Sequence, residues 1–198
     1  MKRIIILTVS LCLVGALALT TILMAVIPVG KVVNIAMPDA KVYVSTSKTK
    51  DLQPYGCLTL RGKDAANQND QETIENIWKA FQESPKQKAL TALFNGNLAE
   101  GIKFETLTTS KTFNRKQTAE NKAKVVFEYS EAQEIPEVEG KTYKLVYFEI
   151  EDLDERTELV VYLGDWNYSN DITVRHSYTM NGNFADLYDL LINLKTPA

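Results

Sequence analysis

The chain has 198 residues, 45% of them hydrophobic and 24% charged, with a formal net charge of −3 at neutral pH. Lys2 and Arg3 are its only charged side chains before position 31, so the remainder holds 20 basic against 25 acidic residues. That acidic excess argues against nucleic acid and against anionic lipid headgroups as electrostatic partners.

Residues 4–27, IIILTVSLCLVGALALTTILMAVI, form an apolar run without a charge. In a helix rising about 1.5 Å per residue, this run reaches roughly 36 Å, enough to cross a hydrocarbon core of about 30 Å. Residues 1–30 therefore read as an uncleaved transmembrane anchor that engages the membrane through 4–27. The competing reading is a signal segment and a product secreted after cleavage. Its only Ala-x-Ala pattern, Ala16-Leu17-Ala18, falls in mid-run and would leave a greasy new end. Leu11 in front of Cys12 is too large for a lipid-attachment site, so Cys12 belongs to the apolar helix. Basic residues precede the run and only Lys31 follows it closely. The positive-inside bias places the amino end in the cytoplasm and the rest outside a cell membrane, in a single pass.

Residues 31–41 read as a short stalk, and 42–198 as one extracytoplasmic domain long enough for a real core. Cys12 in the bilayer and Cys57 outside it cannot pair, so the fold is expected to hold without an internal disulfide. Val42 and Val44 alternate around Tyr43, and Cys57 alternates with Leu58 and Leu60. These predict two short strands, a hairpin with a long loop. Asn69 stands three residues before Glu72, a capping-box spacing, and Ile74, Ile77, Trp78 and Phe81 make one apolar stripe. A second helix is expected over 84–96, opened by Ser84-Pro85 and ended by Asn95-Gly96.

From 101 onward the period changes to two. Strands are expected over 102–109, 123–130, 143–151, 158–163 and 171–180, with the third and fourth central because both of their faces are apolar. Short connections suit consecutive antiparallel pairing. In 171–180 the alternation puts Ile172, Val174, His176, Tyr178 and Met180 on one side. Asn183 caps a last helix with Phe184, Leu187, Tyr188, Leu191 and Leu194 as its stripe. The fold class is thus α+β: an anchor, then a curved antiparallel sheet built on a meander of about five strands, with two to three helices packed on it. In outline this layout is comparable to cystatin-like or NTF2-like rolls, an analogy of layout without a shared motif.

Chemistry-bearing residues are sparse. One histidine and two cysteines cannot build a His/Cys zinc site, and no phosphate-binding Gly loop, dinucleotide fingerprint or nucleophile elbow occurs. No catalytic residue, metal or cofactor is expected. The acidic stretch 149–158 carries six carboxylates but lacks the glycine of a calcium loop, and reads as a solvated turn. The loop 164–171 carries Trp166 and Tyr168 among turn-forming residues, where apolar rings make good contacts for a partner. His176 with Tyr178 on an apolar strand face is the other candidate.

Two functions follow. The first is a membrane-anchored extracytoplasmic binding or accessory domain, non-catalytic, whose partner is an envelope or membrane protein. The alternative is a small-molecule or lipid-binding roll, or a hydrolase using a cavity around His176. The orientation is checked by a reporter fused after Ala198. It should be active only on the outer side, and activity confined to the cytoplasm would reverse the assignment.

Overall fold

The computed structural model describes residues 28–49, 51–52, 56–62, 68–84, 102–105, 109–113, 121–135, 138–153, 156–167 and 171–195. Both the apolar run 4–27 and the expected helix 84–96, beyond Ser84, lie outside these residues. Among the described residues no helix is long and apolar enough to cross a membrane.

Eight strands form one antiparallel sheet: β1 (Lys41–Thr46), β2 (Leu58–Arg61), β3 (Ile102–Glu105), β4 (Thr109–Thr112), β5 (Lys122–Glu134), β6 (Thr142–Leu153), β7 (Arg156–Trp166) and β8 (Asp171–Gly182). Their spatial order is β2-β1-β5-β6-β7-β8-β3, with β4 also paired to β8. Three helices accompany them: the single turn α1 (Val29–Val32), α2 (Gln68–Glu83) and α3 (Ala185–Ile192). The class is therefore α+β with an antiparallel sheet, as the change of period from helical to twofold implies.

The expected hairpin forms: β1 and β2 pair from Lys41↔Arg61 to Val44↔Leu58. Four strands, β5 to β8, run as a consecutive meander, and β6 and β7 are central as expected. The strand expected at 102–109 departs from that scheme. It divides into β3 and β4, and both lie along the far side of β8 instead of beside β5. The edge of β5 is taken by β1, in register from Lys41↔Glu128 to Thr46↔Ala123. A sheet edge left open would present unpaired N–H and C=O groups, and β3 and β4 supply the partners that the outer side of β8 needs.

One sheet face carries the main core. Val42, Val44, Val125, Phe127, Phe148, Ile150, Leu159 and Val161 on it are fully buried and belong to one apolar cluster with α2 and α3. Helix α2 forms because its apolar residues recur on one stripe and neither Gly nor Pro interrupts it. Ile74, Ile77 and Phe81 are buried and Trp78 is half-buried. The Phe81 ring meets Phe148 at a centroid distance of 4.6 Å and Phe127 at 5.7 Å, and those two meet each other at 5.2 Å. The start of α2 differs from the capping box expected at Asn69. The helix begins at Gln68, and the Asp70 carboxylate accepts the Arg61 N–H at 3.1 Å, tying the first turn to the end of β2. At the other end the Ser84 hydroxyl donates to the Ala80 carbonyl at 2.7 Å. In α3 the expected stripe is buried through Phe184, Leu187, Tyr188 and Leu191, and Asn183 Oδ1 accepts the Ala185 N–H.

The opposite face is also buried. Tyr43, Cys57, Phe113, Val126, Leu145, Tyr147, Tyr162, Ile172 and Val174 make a second cluster there. Here the expected alternation of β8 is corrected. Leu163 pairs with His176 but Gly164 pairs with Val174, so Arg175 is an extra residue on β8. This bulge reverses the faces. Ile172 and Val174 join the second cluster, while Tyr178 and Met180 point into the main core.

Gly164 sits at that bulge because β7 and β8 approach too closely for a side chain. A Cβ there would lie 2.2 Å from the Thr173 carbonyl oxygen. Gly164→Ala should cost about 1–3 kcal/mol through forced backbone displacement. The check is a lower urea midpoint with an unchanged slope.

Candidate functional site

Among the described residues, a concave feature lies where β2, the amino-terminal half of α2 and the end of α3 meet. It is an open groove of about 650 Å³ with a floor of Leu58, Leu60, Leu190 and Leu194. Its rim is polar: Asn69, Asp70, Glu72, Thr73 and Asn76 from α2, and Asn193 and Lys195 from the end of α3. The floor exists because Leu58 and Leu60 share the helix-facing side of β2, an i, i+2 consequence of the pleat. The rim exists because Asn69, Thr73 and Asn76 repeat at helical spacing beside the apolar stripe of α2. Two hydrogen bonds hold its corners: Gln71 Nε2 to the Gly62 carbonyl at 3.0 Å, and Lys48 Nζ to Asn193 Oδ1 at 3.2 Å.

This arrangement suits recognition. Each asparagine offers both a donor and an acceptor, the pattern of a peptide group, and the leucines accept apolar side chains. The volume falls within the ordinary range of ligand pockets, about 300–1,000 Å³. Among the described residues no group of three or more His, Cys, Asp or Glu could hold a metal ion.

Of the residues singled out from sequence, Trp166, His176 and Tyr178 do not line this groove, nor do these three form one site. Trp166 is the last residue of β7, paired with Ile172, and is half-buried on the second face. Its ring lies edge-on to Tyr43 at 6.2 Å and against Phe113 at 6.4 Å. Tyr168 lies outside the described residues. His176 is buried and meets Tyr178 edge-to-face at 4.7 Å on the helix-facing side, across the sheet from Trp166. The groove was legible only in part. The amide and hydroxyl stripe of α2 is a signal in the sequence, but nothing local joins it to Leu58 or Leu194.

Beyond Trp166 the second face carries a chain of rings. Phe113 lies 5.5 Å from Tyr147, which stacks on Tyr162 at 5.6 Å. Carboxylates meet this chain at two points: Tyr43 donates to Glu128 at 3.1 Å, and Tyr147 donates to Glu149. Glu151 pairs instead with Lys122 at 3.0 Å, its register partner on β5. The two carboxylates that share a strand face therefore have separate partners. Cys57 is buried, with its sulfur 3.9 Å from the Thr59 hydroxyl.

Comparison of the chain with protein-family models, with curated proteins and with solved structures finds no match. The functional reading therefore rests on the sequence and the geometry of this chain.

Two phenols are set apart electrostatically. Burial, and then the neighbouring Glu149, pushes the Tyr147 hydroxyl far above the usual phenol value of 10.0. Burial first, then Tyr143 and Asp39, does the same to Tyr129. A raised folded-state value means the folded chain holds the proton more tightly. The associated stability is present below about pH 10, the unfolded value, and is lost as pH rises beyond it. In an alkaline titration Tyr129 and Tyr147 should ionise only as the chain unfolds. Phenolate absorbance from all nine tyrosines in the still-folded protein would contradict this. Tyr147→Phe should make the loss of stability above that pH shallower.

Proposed function

We propose that the chain is a single-pass, membrane-anchored extracytoplasmic domain that binds a partner protein and carries out no catalysis. The observation that supports it best is the groove between β2, α2 and α3, with four leucines as floor and amide side chains around the rim. Side chains of a short partner segment would enter the leucine floor, and its peptide groups would meet Asn69, Asn76 and Asn193. The membrane supplies the second support. An apolar run at 4–27 would confine the domain to the cell surface, where an envelope or membrane protein is the partner to hand. Curvature of the sheet into a roll belongs to the same proposal, with α2 and α3 against its inner face.

The alternative reading, a small-molecule or lipid site around His176 and Tyr178, has less behind it. Both residues are buried against each other, and neither lines the groove. The loop with Trp166 and Tyr168 is a secondary contact candidate, since Trp166 is only half-buried at the end of β7.

The test is a photo-crosslinking side chain at Asn76 in native membranes. It should yield one discrete adduct with an envelope or membrane protein. Leu194→Arg, which places a charge in the leucine floor at a half-buried position, should reduce that adduct at least tenfold, a change of about 1.4 kcal/mol in binding. Adducts no stronger than those from a probe at the exposed Glu139 would defeat the groove as a partner site.

A further inference from the structure

The segment that follows the apolar run was expected to be a stalk, and its contacts are those of a core element. Val29, Val33 and Ile35 are at most 3% exposed and belong to the main apolar cluster. The Val29 N–H donates to the Ser84 carbonyl at 2.6 Å, joining α1 to the end of α2. Gly30 permits that approach. A Cβ on it would lie 3.1 Å from the Gln82 carbonyl oxygen and closer still to the Gln82 side chain. Further along, the Tyr129 hydroxyl donates to the Ala36 carbonyl at 2.9 Å. Asp39 then accepts both the backbone N–H and the hydroxyl of Ser130, the former at 2.8 Å. Ala40 N–H donates to the Glu128 carbonyl at 3.2 Å and leads directly into β1.

From these contacts we infer that the domain is seated rigidly on its membrane exit and does not swing on a tether. The inference rests on the anchor reading of residues 4–27 and adds to it. With a span ending at residue 27, only Pro28 separates the bilayer from the docked turn. Pro28 is extended, with φ −64° fixed by its ring. One residue reaches about 3.6 Å at most. A flexible stalk over 31–41 would instead have reached roughly 18 Å, at about 5–6 Å times the square root of its length. The difference decides whether the domain samples many orientations or one. Lifting residues 29–35 would expose three buried aliphatic side chains and break the joint with Ser84, so tilt or rotation of the span passes into α2. The groove residues Asn69 to Asn76 then lie about 12–22 Å along α2 from Ser84, at about 1.5 Å per residue, held at a set place relative to the membrane.

The experiment uses the full chain in lipid nanodiscs, with a rigidly attached fluorophore at Glu139→Cys and with Cys12→Ala and Cys57→Ala. Time-resolved anisotropy should show only the slow tumbling of the disc. A Gly-Ser spacer inserted before Pro28 should add a fast nanosecond decay of large amplitude. The same fast decay in the chain without the spacer, with the protein still retained in the bilayer, overturns the rigid seat and leaves the anchor standing. Release of the chain from vesicles by alkaline carbonate overturns the anchor reading, and the seat on the membrane with it.

Discussion

The contact on which the rest depends is the ring of Phe81 set against Phe127 and Phe148. It joins the only long described helix to two adjacent strands of the sheet, and all three rings are fully buried. Rings packed this way bury a large area each and gain further from edge-to-face and offset geometry. Removing any one would leave a cavity worth about 3–5 kcal/mol, a large share of a marginal total stability. Because α2 is placed by this contact, so are its two ends. Its first turn borders the groove, and its last turn receives α1.

Both faces of the sheet carry buried clusters. Among the described residues, helices cover only one of them. The second is filled by aromatic side chains from β1, β6 and β7 together with Phe113, and by Ile172 and Val174 from β8. That last pair reaches this face only because Arg175 bulges out of register and turns half of β8 over. Without the bulge, Ile172 and Val174 would compete for the helix-facing side with Tyr178 and Met180. The sheet thus uses one extra residue to divide a strand of uniform apolar pattern between two cores.

The polar groups follow the same logic. Asp165 accepts the Lys144 backbone N–H at 3.1 Å and pairs with Arg175 at 2.7 Å, stitching the end of β7 to both neighbours beside the bulge. Such exposed pairs add little free energy individually. Their value here is geometric, since they hold Gly164 against Thr173 where the backbones are closest. The groove, by contrast, is left with amides along its rim and leucines below. That combination of a hydrogen-bonding border with an apolar base is what distinguishes it from the filled surfaces around it.

Local sequence determined the elements whose pattern is carried by near neighbours. The stripe from Ile74 to Phe81, the stripe from Phe184 to Leu191, the β1–β2 hairpin and the four-strand meander are all readable from periodicity. Side chains three or four apart on a helix, or two apart on a strand, must share a face. What only the tertiary structure decided are the relations between distant segments. Both β3 and β4 pair with β8, while β1 occupies the edge of β5. The faces of β8 switch at a bulge that leaves no mark in its alternating pattern. Residues 31–41 read as a short stalk, yet Val33 and Ile35 bury themselves, as does Val29 at the end of the expected anchor, since α2 offers an apolar surface that no local window contains. Trp166 stands among turn-forming residues, and its partial burial comes from Tyr43 and Phe113, far away along the chain. The groove belongs wholly to this second kind, because its leucines and asparagines come from three separate stretches that folding alone brings together.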